Sequence, residues 1–235
     1  MKELSPLKNR FLDLLLESGA LKFGEFKTKS GRMSPFFLNT GAFDHGTVLS
    51  SIAQCYAQFI YEQLPSPDGR SRHLYGPAYK GITLASATAV ELAKISGREV
   101  SFTFNRKEAK DHGEGGQFVG RALSKDSPLI IVEDVMTGGT SIRETMSLLQ
   151  PLKIPVSAVV IGVDRQERGA GSDLASIEAQ KKYDLPVFAI LTLDEIIQAL
   201  WSPGNPARRL GKVWIDDALK QKIDSYRQEW GIVRV

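Results

Sequence analysis

The chain contains few of the residues from which disulfides and metal cages are built. One cysteine and three histidines stand among its 235 residues. A single cysteine excludes a disulfide within the chain and a cysteine-based zinc site. Cys55 lies in an apolar helical pattern, which favours a small buried side chain over a catalytic nucleophile. His45 and His73 have no catalytic context, and we expect them to be structural or surface residues.

The chain also lacks a long apolar run and a large excess of one charge. Its apolar runs stay below the roughly 18 residues that a membrane helix needs, and its N-terminus has no signal-peptide core. We therefore expect a cytoplasmic protein without membrane contact. The 30 basic and 27 acidic residues are too balanced to indicate nucleic-acid binding, and no helix-turn-helix pattern is present. Length and composition predict one globular domain over residues 1–235.

Short apolar runs alternate with segments of helical periodicity through most of the chain. We predict the strands of this alternation at residues 73–75, 98–104, 129–132, 156–163 and 187–191. The pattern is typical of an α/β fold with a doubly wound parallel sheet. Residues 21–39 precede it as a predicted β-hairpin, so residues 1–40 should contribute a small hood beside the sheet. Ligand loops of such a sheet lie at the carboxyl ends of its strands, here at residues 76–81, 106–116 and 133–141.

The most informative stretch is the donor segment, residues 133–141, which follows the buried strand 129–132. Glu133 and Asp134 open it, and a Thr/Gly loop then leads into a helix. Glycines at a helix N-terminus let backbone N–H groups approach a phosphate, and the two carboxylates can accept hydrogen bonds from ribose hydroxyls. The alternative is an ordinary strand-to-helix turn, in which glycine, threonine and acidic residues are also common.

Residues 106–118 are polar, charged and glycine-rich, and we predict a mobile loop there. Arg106, Lys107 and Lys110 supply three cations, followed by His112. One interpretation is a solvated surface loop. The other is a cover for a departing diphosphate, since Lys and Arg stabilise its charge and closure excludes water. His112 could then donate a hydrogen bond or a proton to the diphosphate.

Five separated segments together point to one family. They are LKFGEFKTKSGRMSPFF (21–37), GPAYKGI (76–82), FNRKEAKDHGEGG (104–116), VEDVMTGGTSIRE (132–144) and DRQERG (164–169). Their order and spacing resemble the orotate-specific branch of the type I phosphoribosyltransferases. The resemblance implies the type I fold, with a five-stranded parallel core and an N-terminal hood. It also implies transfer of the phosphoribosyl group of 5-phosphoribosyl 1-pyrophosphate (PRPP) to orotate in pyrimidine biosynthesis, through an oxocarbenium-like transition state. The products are orotidine 5′-monophosphate and pyrophosphate.

The resemblance also assigns roles to individual residues. Those implied to bind PRPP are Lys29, Tyr79, Lys80, Glu133, Asp134, Val135, Met136, Thr137, Gly138, Gly139, Thr140 and Ser141. Those implied to act in the catalytic loop are Arg106, Lys107, Lys110 and His112. Those implied to bind orotate are Phe37, Leu38, Thr137 and Arg165. In this family the 106–116 loop reaches the neighbouring subunit's site, so a homodimer is implied.

Magnesium is expected to enter on the diphosphate and ribose hydroxyls without a dedicated set of protein ligands, because it keeps several waters. Direct ligation by Glu133 or Asp134 is the alternative. No general base for N1 of orotate stands out in the sequence, and the substrate can react as its anion.

Arg165 has a second line of support, from its residue type and position. It follows a predicted strand, where substrate loops gather, and its guanidinium matches a planar carboxylate. A surface ion pair is the alternative, and Arg168 could simply pair with Glu167 or Asp164.

Two positions depart from the family pattern, and two other functions stay open. Gly138 stands where relatives commonly have Ala or Ser, and we expect a change in loop flexibility but not in function. Leu38 is often aromatic in relatives, which weakens ring stacking at that position but not backbone contacts. A purine phosphoribosyltransferase would share the donor segment, although the hood and Arg165 favour a carboxylated pyrimidine. A PRPP-sensing regulator would also share it, although the intact cationic loop argues against that function.

Overall fold

The chain is described by a computed structural model that covers residues 3–28, 31–65, 71–110, 116–203 and 207–231, without the side chains of residues 109 and 110. Its strands are β1 (Leu21–Lys27), β2 (Met33–Leu38), β3 (Arg72–Gly76), β4 (Val100–Lys110), β5 (Gly116–Gly120), β6 (Leu129–Met136), β7 (Val156–Asp164), β8 (Val187–Thr192), β9 (Arg208–Arg209) and β10 (Lys212–Val213). Its α-helices are α1 (Pro6–Glu17), α2 (Gly46–Gln63), α3 (Lys80–Ser96), α4 (Thr140–Leu149), α5 (Ala175–Tyr183), α6 (Leu193–Leu200) and α7 (Asp217–Trp230).

A six-stranded sheet in the order β5-β4-β3-β6-β7-β8 forms the centre of the fold. Five of its strands run parallel, and β5 pairs antiparallel with β4 at one edge. The predicted α/β fold with a parallel sheet is therefore confirmed, with an added antiparallel edge strand. Because β6 lies between β3 and β7, the carboxyl ends of these three strands meet at one edge of the sheet.

Apolar side chains cover both faces of this sheet. Leu74 and Val132 belong to the larger core, which α1, α2, α3, α6 and α7 complete. Tyr75 and Ile131 point to the other face and pack with α4 and α5. Successive residues of a strand alternate between faces, so β3 and β6 each contribute to both cores. The sheet is thus doubly wound, as predicted.

Helix ends follow local sequence signals. Ser5 caps α1 through a hydrogen bond from Lys8 N, with Pro6 in the first turn. Thr192 and Glu195 form a capping box at the start of α6. No helix within the described ranges is long and apolar enough to cross a membrane.

The hood hairpin consists of β1 and β2, which pair antiparallel from Leu21 opposite Leu38 to Lys27 opposite Met33. This confirms the predicted hairpin. Helix α1, in contrast, buries Phe11 in the main core. Three side-chain pairs join the hood hairpin to α7: Glu25 with Lys222, Arg32 with Trp230, and Phe36 with Tyr226. The hood hairpin and the last helix therefore meet beside the sheet.

The predicted loop at residues 106–118 is wrong for most of its length. Strand β4 continues to Lys110, and β5 returns from Gly116. Asn105 pairs with Phe118, and Phe118 packs edge-on against Tyr75 with ring centroids 6.4 Å apart. Backbone pairing and this aromatic contact stabilise the hairpin, although residues 105–108 near the end of β4 are all polar or charged. Residues 111–115 lie outside the described residues.

One further boundary and one further element differ from the sequence-based expectation. Strand β6 was predicted to end at Val132, yet it continues to Met136 because Val135 and Met136 still pair with β7. A short ribbon of β9 and β10 lies within a stretch for which no strand was predicted.

Candidate active site

The two acidic residues of the donor segment lie inside β6, so their side chains project to opposite faces of the strand. Glu133 lines a cavity of about 170 Å³ together with the Thr/Gly loop and the start of α4. Asp134 lines a second cavity of about 180 Å³ together with Thr40 and Lys80. The donor segment therefore offers two adjoining polar cavities at the carboxyl end of the central strand.

Helix α4 begins in the first of these cavities. Its N-cap is Gly139, in the left-handed region with φ +68°, and glycine has no side chain that could cap the first turn. Arg143 supports the loop from behind, since its Nη1 donates to the Gly138 carbonyl at 2.6 Å and its Nη2 to Thr140 Oγ1 at 2.9 Å. The N–H groups of the first turn are consequently available to an anion such as a phosphate.

The two glycines of this loop should respond differently to alanine. A Cβ at Gly138 would meet nothing within 4 Å, whereas Gly139 has φ +68° and a Cβ there would lie 3.3 Å from Arg143 Nη1. We expect Gly138→Ala to leave stability and the KM for PRPP nearly unchanged. Gly139→Ala should destabilise the protein by about 1–2 kcal/mol and raise the KM for PRPP. Urea unfolding and PRPP titration measure both effects, and equal effects at the two positions would contradict this explanation.

Glu133 is buried and held by two donors. Ser141 Oγ donates to its Oε2, and the Asp134 backbone N–H donates to its Oε1 at 3.1 Å. Burial, and after it the neighbouring Asp134 charge, together raise the pKa of the Glu133 carboxyl to about 7, against the opposing effect of the two donors. Glu133 is thus a carboxyl whose ionisation is costly in the folded protein.

This raised pKa predicts a pH-dependent contribution to stability. The carboxyl of the unfolded chain ionises near pH 4.5 and that of the folded chain near pH 7, so deprotonation favours the unfolded state across this window. The destabilisation is absent below about pH 4.5 and complete above about pH 7. We expect Glu133→Gln to gain stability relative to the unchanged chain as pH rises from 5 to 7.5. Urea unfolding across this range measures it, and parallel stability curves would count against the raised pKa.

Asp134 connects three parts of the chain. Thr40, just after the hood hairpin, donates a hydrogen bond to its Oδ2, and Lys80 Nζ at the start of α3 lies 3.6 Å from the same oxygen. Its Oδ1 accepts from the Val135 N–H at 2.7 Å. A cation, a hydroxyl and a carboxylate therefore face the second cavity together. Thr40 was missed in the sequence because only the fold brings it to β6.

The segment 76–81 is tied to β4 through Asn105. The Oδ1 atom of Asn105 accepts hydrogen bonds from Tyr75 Oη at 3.0 Å and from the Ala78 N–H at 3.1 Å. Tyr79 is 66% exposed, and Lys107 Nζ lies over its ring, 5.1 Å from the centroid. The structure therefore brings two of the residues implied at the diphosphate together. Asn105 holds the residue before Tyr79 and lies two positions before Lys107, and the sequence analysis gave it no role.

Arg165 lies at the end of β7 and is 5% exposed. Its Nε and Nη2 donate to Glu167 Oε1 at 2.8 and 2.6 Å, and Nη2 also approaches Ser34 Oγ at 3.4 Å. The guanidinium stacks on Phe36 at 4.5 Å. Arg165 therefore forms an ion pair, as the alternative interpretation proposed, but the pair is buried beneath the hood hairpin and not on the surface.

Arg168 differs from Arg165. It is exposed, and its backbone N–H donates to the Trp230 carbonyl at 2.9 Å. Glu167 pairs with Arg165, and Asp164 accepts from Gln166 N and Ser176 Oγ. The suggested pairing of Arg168 with Glu167 or Asp164 is therefore not observed.

The remaining predicted positions are only partly visible. Lys29, His112 and the Lys110 side chain lie outside the described residues. Phe37 is 37% exposed and stacks on Phe26 at 5.3 Å, whereas Leu38 is buried in the main core. The side chain of Leu38 is therefore not accessible to a ligand. The first cavity is lined by Glu133 and by eight further residues: Val135, Met136, Thr137, Gly138, Gly139, Thr140, Ser141 and Ile142.

Comparison with known proteins identifies the family. The phosphoribosyl transferase domain family matches residues 47–195. The orotate phosphoribosyltransferase of Lachnoclostridium phytofermentans is 41% identical over 230 residues, which cover 97% of this chain and 99% of the relative. The chain belongs to the orotate phosphoribosyltransferase family. The relative from Ralstonia nicotianae is 42% identical over 240 residues, covering 100% of both chains.

A solved structure agrees with this family. The crystal structure of orotate phosphoribosyltransferase from Francisella tularensis superposes with a TM-score of 0.75 at 33% identity, over 94% of this chain and 99% of that one. The resemblance drawn from five segments is therefore confirmed. The domain match over residues 47–195 contains the donor segment and Arg165, whereas the hood hairpin and α7 lie outside it.

Proposed function

We propose that this chain transfers the 5-phosphoribosyl group of PRPP to orotate, giving orotidine 5′-monophosphate and pyrophosphate, a step of pyrimidine biosynthesis. The observation that carries the proposal is the open Thr/Gly loop at the start of α4, which lies near a buried arginine at the carboxyl edge of one sheet because Met136 of β6 pairs with Asp164 of β7. One cavity suits a sugar phosphate, and the arginine suits a carboxylated base. The whole chain acts as one domain, supported by a core that extends from Leu7 to Tyr226. A cytoplasmic location is part of the proposal, because both substrates are charged and do not cross membranes unaided.

The donor would be held by the two sides of β6. The open first turn of α4 and the hydroxyls of Thr137, Thr140 and Ser141 are placed for the 5-phosphate. Glu133 and Asp134 can accept hydrogen bonds from ribose hydroxyls. Positive charge develops on the sugar as its bond to the diphosphate lengthens, and these two acidic residues lie nearby to stabilise it.

The leaving diphosphate would be met by cations from two segments. Lys80 already faces the second cavity. Lys107 lies on β4, over Tyr79, and in a dimer that shares the β4–β5 hairpin it would meet the diphosphate in the neighbouring subunit's site. The Lys80 side chain is 54% exposed and Lys107 is also exposed, so both can move toward an incoming anion. We include Lys29, Lys110 and His112 in this set on the strength of the family resemblance.

Magnesium fits the site as a companion of the donor. Within the described ranges, no group of three or more His, Cys, Asp or Glu side chains could hold a metal ion. Glu133 and Asp134 project from opposite faces of β6 and are not arranged as a pair of ligands. We therefore propose that PRPP binds as its magnesium complex, in which oxygens of the diphosphate and the ribose hydroxyls hold the ion. When bound, the ion neutralises charge on the diphosphate.

A homodimer that shares the β4–β5 hairpin between subunits is a further part of the proposal. Lys107 and Glu108 are exposed near the end of β4, where they are free to meet a second chain. Lys107→Ala and Asp134→Asn subunits, each inactive alone, should recover activity when mixed. With random pairing, roughly one quarter of wild-type activity is expected, because half the dimers carry one intact site. Co-purification of differently tagged subunits shows whether mixed dimers form, and mixed dimers without activity would rule out the shared site.

The experiment that tests the proposed function is an absorbance assay with orotate, PRPP and magnesium, run beside adenine, hypoxanthine and uracil. Turnover of orotate alone is expected. Turnover of a purine would favour a purine phosphoribosyltransferase instead, and PRPP binding without turnover of any base would favour a PRPP-sensing regulator.

A further inference from the structure

One carboxylate oxygen organises the buried surroundings of Arg165. Glu167 Oε1 accepts hydrogen bonds from Arg165 Nε at 2.8 Å, from Arg165 Nη2 at 2.6 Å and from Tyr226 Oη at 2.9 Å. All three residues are less than a tenth exposed. We call Arg165, Glu167 and Tyr226, with Ser34 and Phe36 of the hood hairpin, the acceptor network. It joins β7, β2 and α7, three elements far apart in sequence.

The network restrains the guanidinium of Arg165 from several sides. Glu167 holds the edge formed by Nε and Nη2, and Phe36 holds the face at 4.5 Å. Tyr226 in turn contacts Phe36 edge-on, with ring centroids 5.9 Å apart. Among the described residues, Nη1 of Arg165 has no hydrogen-bond partner. One donor group is therefore left over after the protein has fixed the rest.

Tyr226 is suited to remain a donor within this network. Burial and the negative charge of Glu167 raise the pKa of its hydroxyl, so the hydroxyl stays protonated at neutral pH. Its single O–H is directed to Glu167 Oε1 and limits the positions that the carboxylate can adopt. The effect on Arg165 is indirect, through the carboxylate that both residues share.

We propose that Glu167 and Tyr226 are positioning residues for the acceptor, which hold Arg165 so that its remaining donors face the carboxylate of a carboxylated pyrimidine. The inference rests on the proposed function and adds two residues to it. Helix α7 lies outside the matched phosphoribosyl transferase domain. Through Tyr226, the selectivity for orotate would therefore depend on a segment that the domain match does not cover.

The physical basis is preorganisation of a buried charge. A free arginine has many rotamers, and ordering it for each substrate would weaken binding. A buried guanidinium without a counter-charge would also destabilise the fold, which Glu167 prevents. With its position fixed, Arg165 can distinguish orotate from uracil, because uracil has no carboxylate to accept hydrogen bonds from the remaining N–H groups of the guanidinium.

The opposite arrangement makes the opposite prediction. If Glu167 occupied the place of the substrate carboxylate, it would compete with orotate for Arg165. Weakening the contact between Tyr226 and Glu167 would then strengthen orotate binding. Positioning and competition therefore differ in the sign of the change in KM for orotate.

The first test is Tyr226→Phe, which removes one hydroxyl and keeps the ring against Phe36. We expect the KM for orotate to rise about fivefold, the size of effect typical of one lost hydrogen bond, and the preference for orotate over uracil to fall by a similar factor. The KM for PRPP and kcat should change little. Tyr183→Phe is the matched control, since Tyr183 packs with the second core, on the other face of the sheet, and should leave all constants unchanged.

Other outcomes overturn the inference. A fall in the KM for orotate indicates competition, an unchanged KM indicates no role, and a loss of kcat with both KM values unchanged indicates a purely structural role. A second variant, Glu167→Ala, tests the route of the effect, because Tyr226→Phe should add nothing in that background. Failure of Glu167→Ala to fold leaves the first test valid. If the unchanged protein uses orotate while Tyr226→Phe behaves like the control, only this inference fails and the proposed function stands.

Discussion

Replacement of Lys107 by alanine is expected to lower kcat roughly a hundred- to a thousandfold, the effect typical of removing one group that stabilises transition-state charge. The KM for PRPP should stay within about threefold, since the contact with the diphosphate strengthens mainly as the bond breaks. In the free protein Lys107 is exposed and lies over Tyr79, without an acidic partner among the described residues. Steady-state kinetics with orotate at saturation measures the two constants separately.

A matched lysine tests whether the effect depends on position. Lys125 is also exposed, but it precedes the amino end of β6, at the opposite edge of the sheet from the donor segment. Lys125→Ala should therefore behave like the unchanged enzyme. A large rise in the KM for PRPP with normal kcat in Lys107→Ala would mean that Lys107 serves binding alone.

Replacement of Arg165 by methionine is expected to have two separable consequences. It removes the donors for the orotate carboxylate, and kcat/KM for orotate should fall about a thousandfold. It also leaves Glu167 as a buried charge without its partner, which should destabilise the fold by about 3–5 kcal/mol. Both side chains are nearly inaccessible, at 6% and 3%, so water cannot replace the lost contact. Urea unfolding and orotate kinetics measure the two consequences.

The double variant Arg165→Met/Glu167→Met separates stability from activity. Replacing both members of a buried ion pair with apolar residues is often neutral or stabilising, so most of the lost stability should return. Activity with orotate should not return, because the donors are still missing. Recovery of activity in the double variant would show that Arg165 acts only through stability.

The sequence predicted the centre of the fold well because the signals there are local. The apolar run 129–132 and the following acids marked β6 and its neighbourhood. The end of β6 was misplaced, since Glu133 and Asp134 look like loop residues. Pairing of Glu133 and Val135 with β7 keeps both acids within the strand and directs them to two cavities. Polar residues in a strand are stable here because each finds a donor.

The hairpin of β4 and β5 was missed because its stabilising contacts are not adjacent in sequence. Charged residues and glycines at 106–116 outweigh the short apolar pair Phe118 and Val119 in any local pattern. In the fold, Phe118 reaches Tyr75 on β3, and Arg106 Nη1 donates to the Gly116 carbonyl at 3.0 Å across the hairpin. Only knowledge of the neighbouring strand could have revealed these contacts.

The supporting residues of the site were invisible for the same reason. Thr40, Asn105 and Tyr226 are ordinary polar residues in sequence, and each acts on a partner that lies on another element. A motif names the groups that face a substrate, because their spacing along the chain is short. A motif does not name the residues that position those groups, because these residues are distant in sequence and only the fold places them nearby.

The contact between the hood hairpin and α7 also has a consequence for synthesis. Glu25 and Lys222 are separated by 197 positions in sequence, yet their side chains lie 2.9 Å apart. A ribosome releases N-terminal residues first, so β6 and its loop emerge well before the last helix exists. A nascent chain paused before Asp217 would carry its Thr/Gly loop but lack Tyr226, so the surroundings of Arg165 are completed only as translation ends.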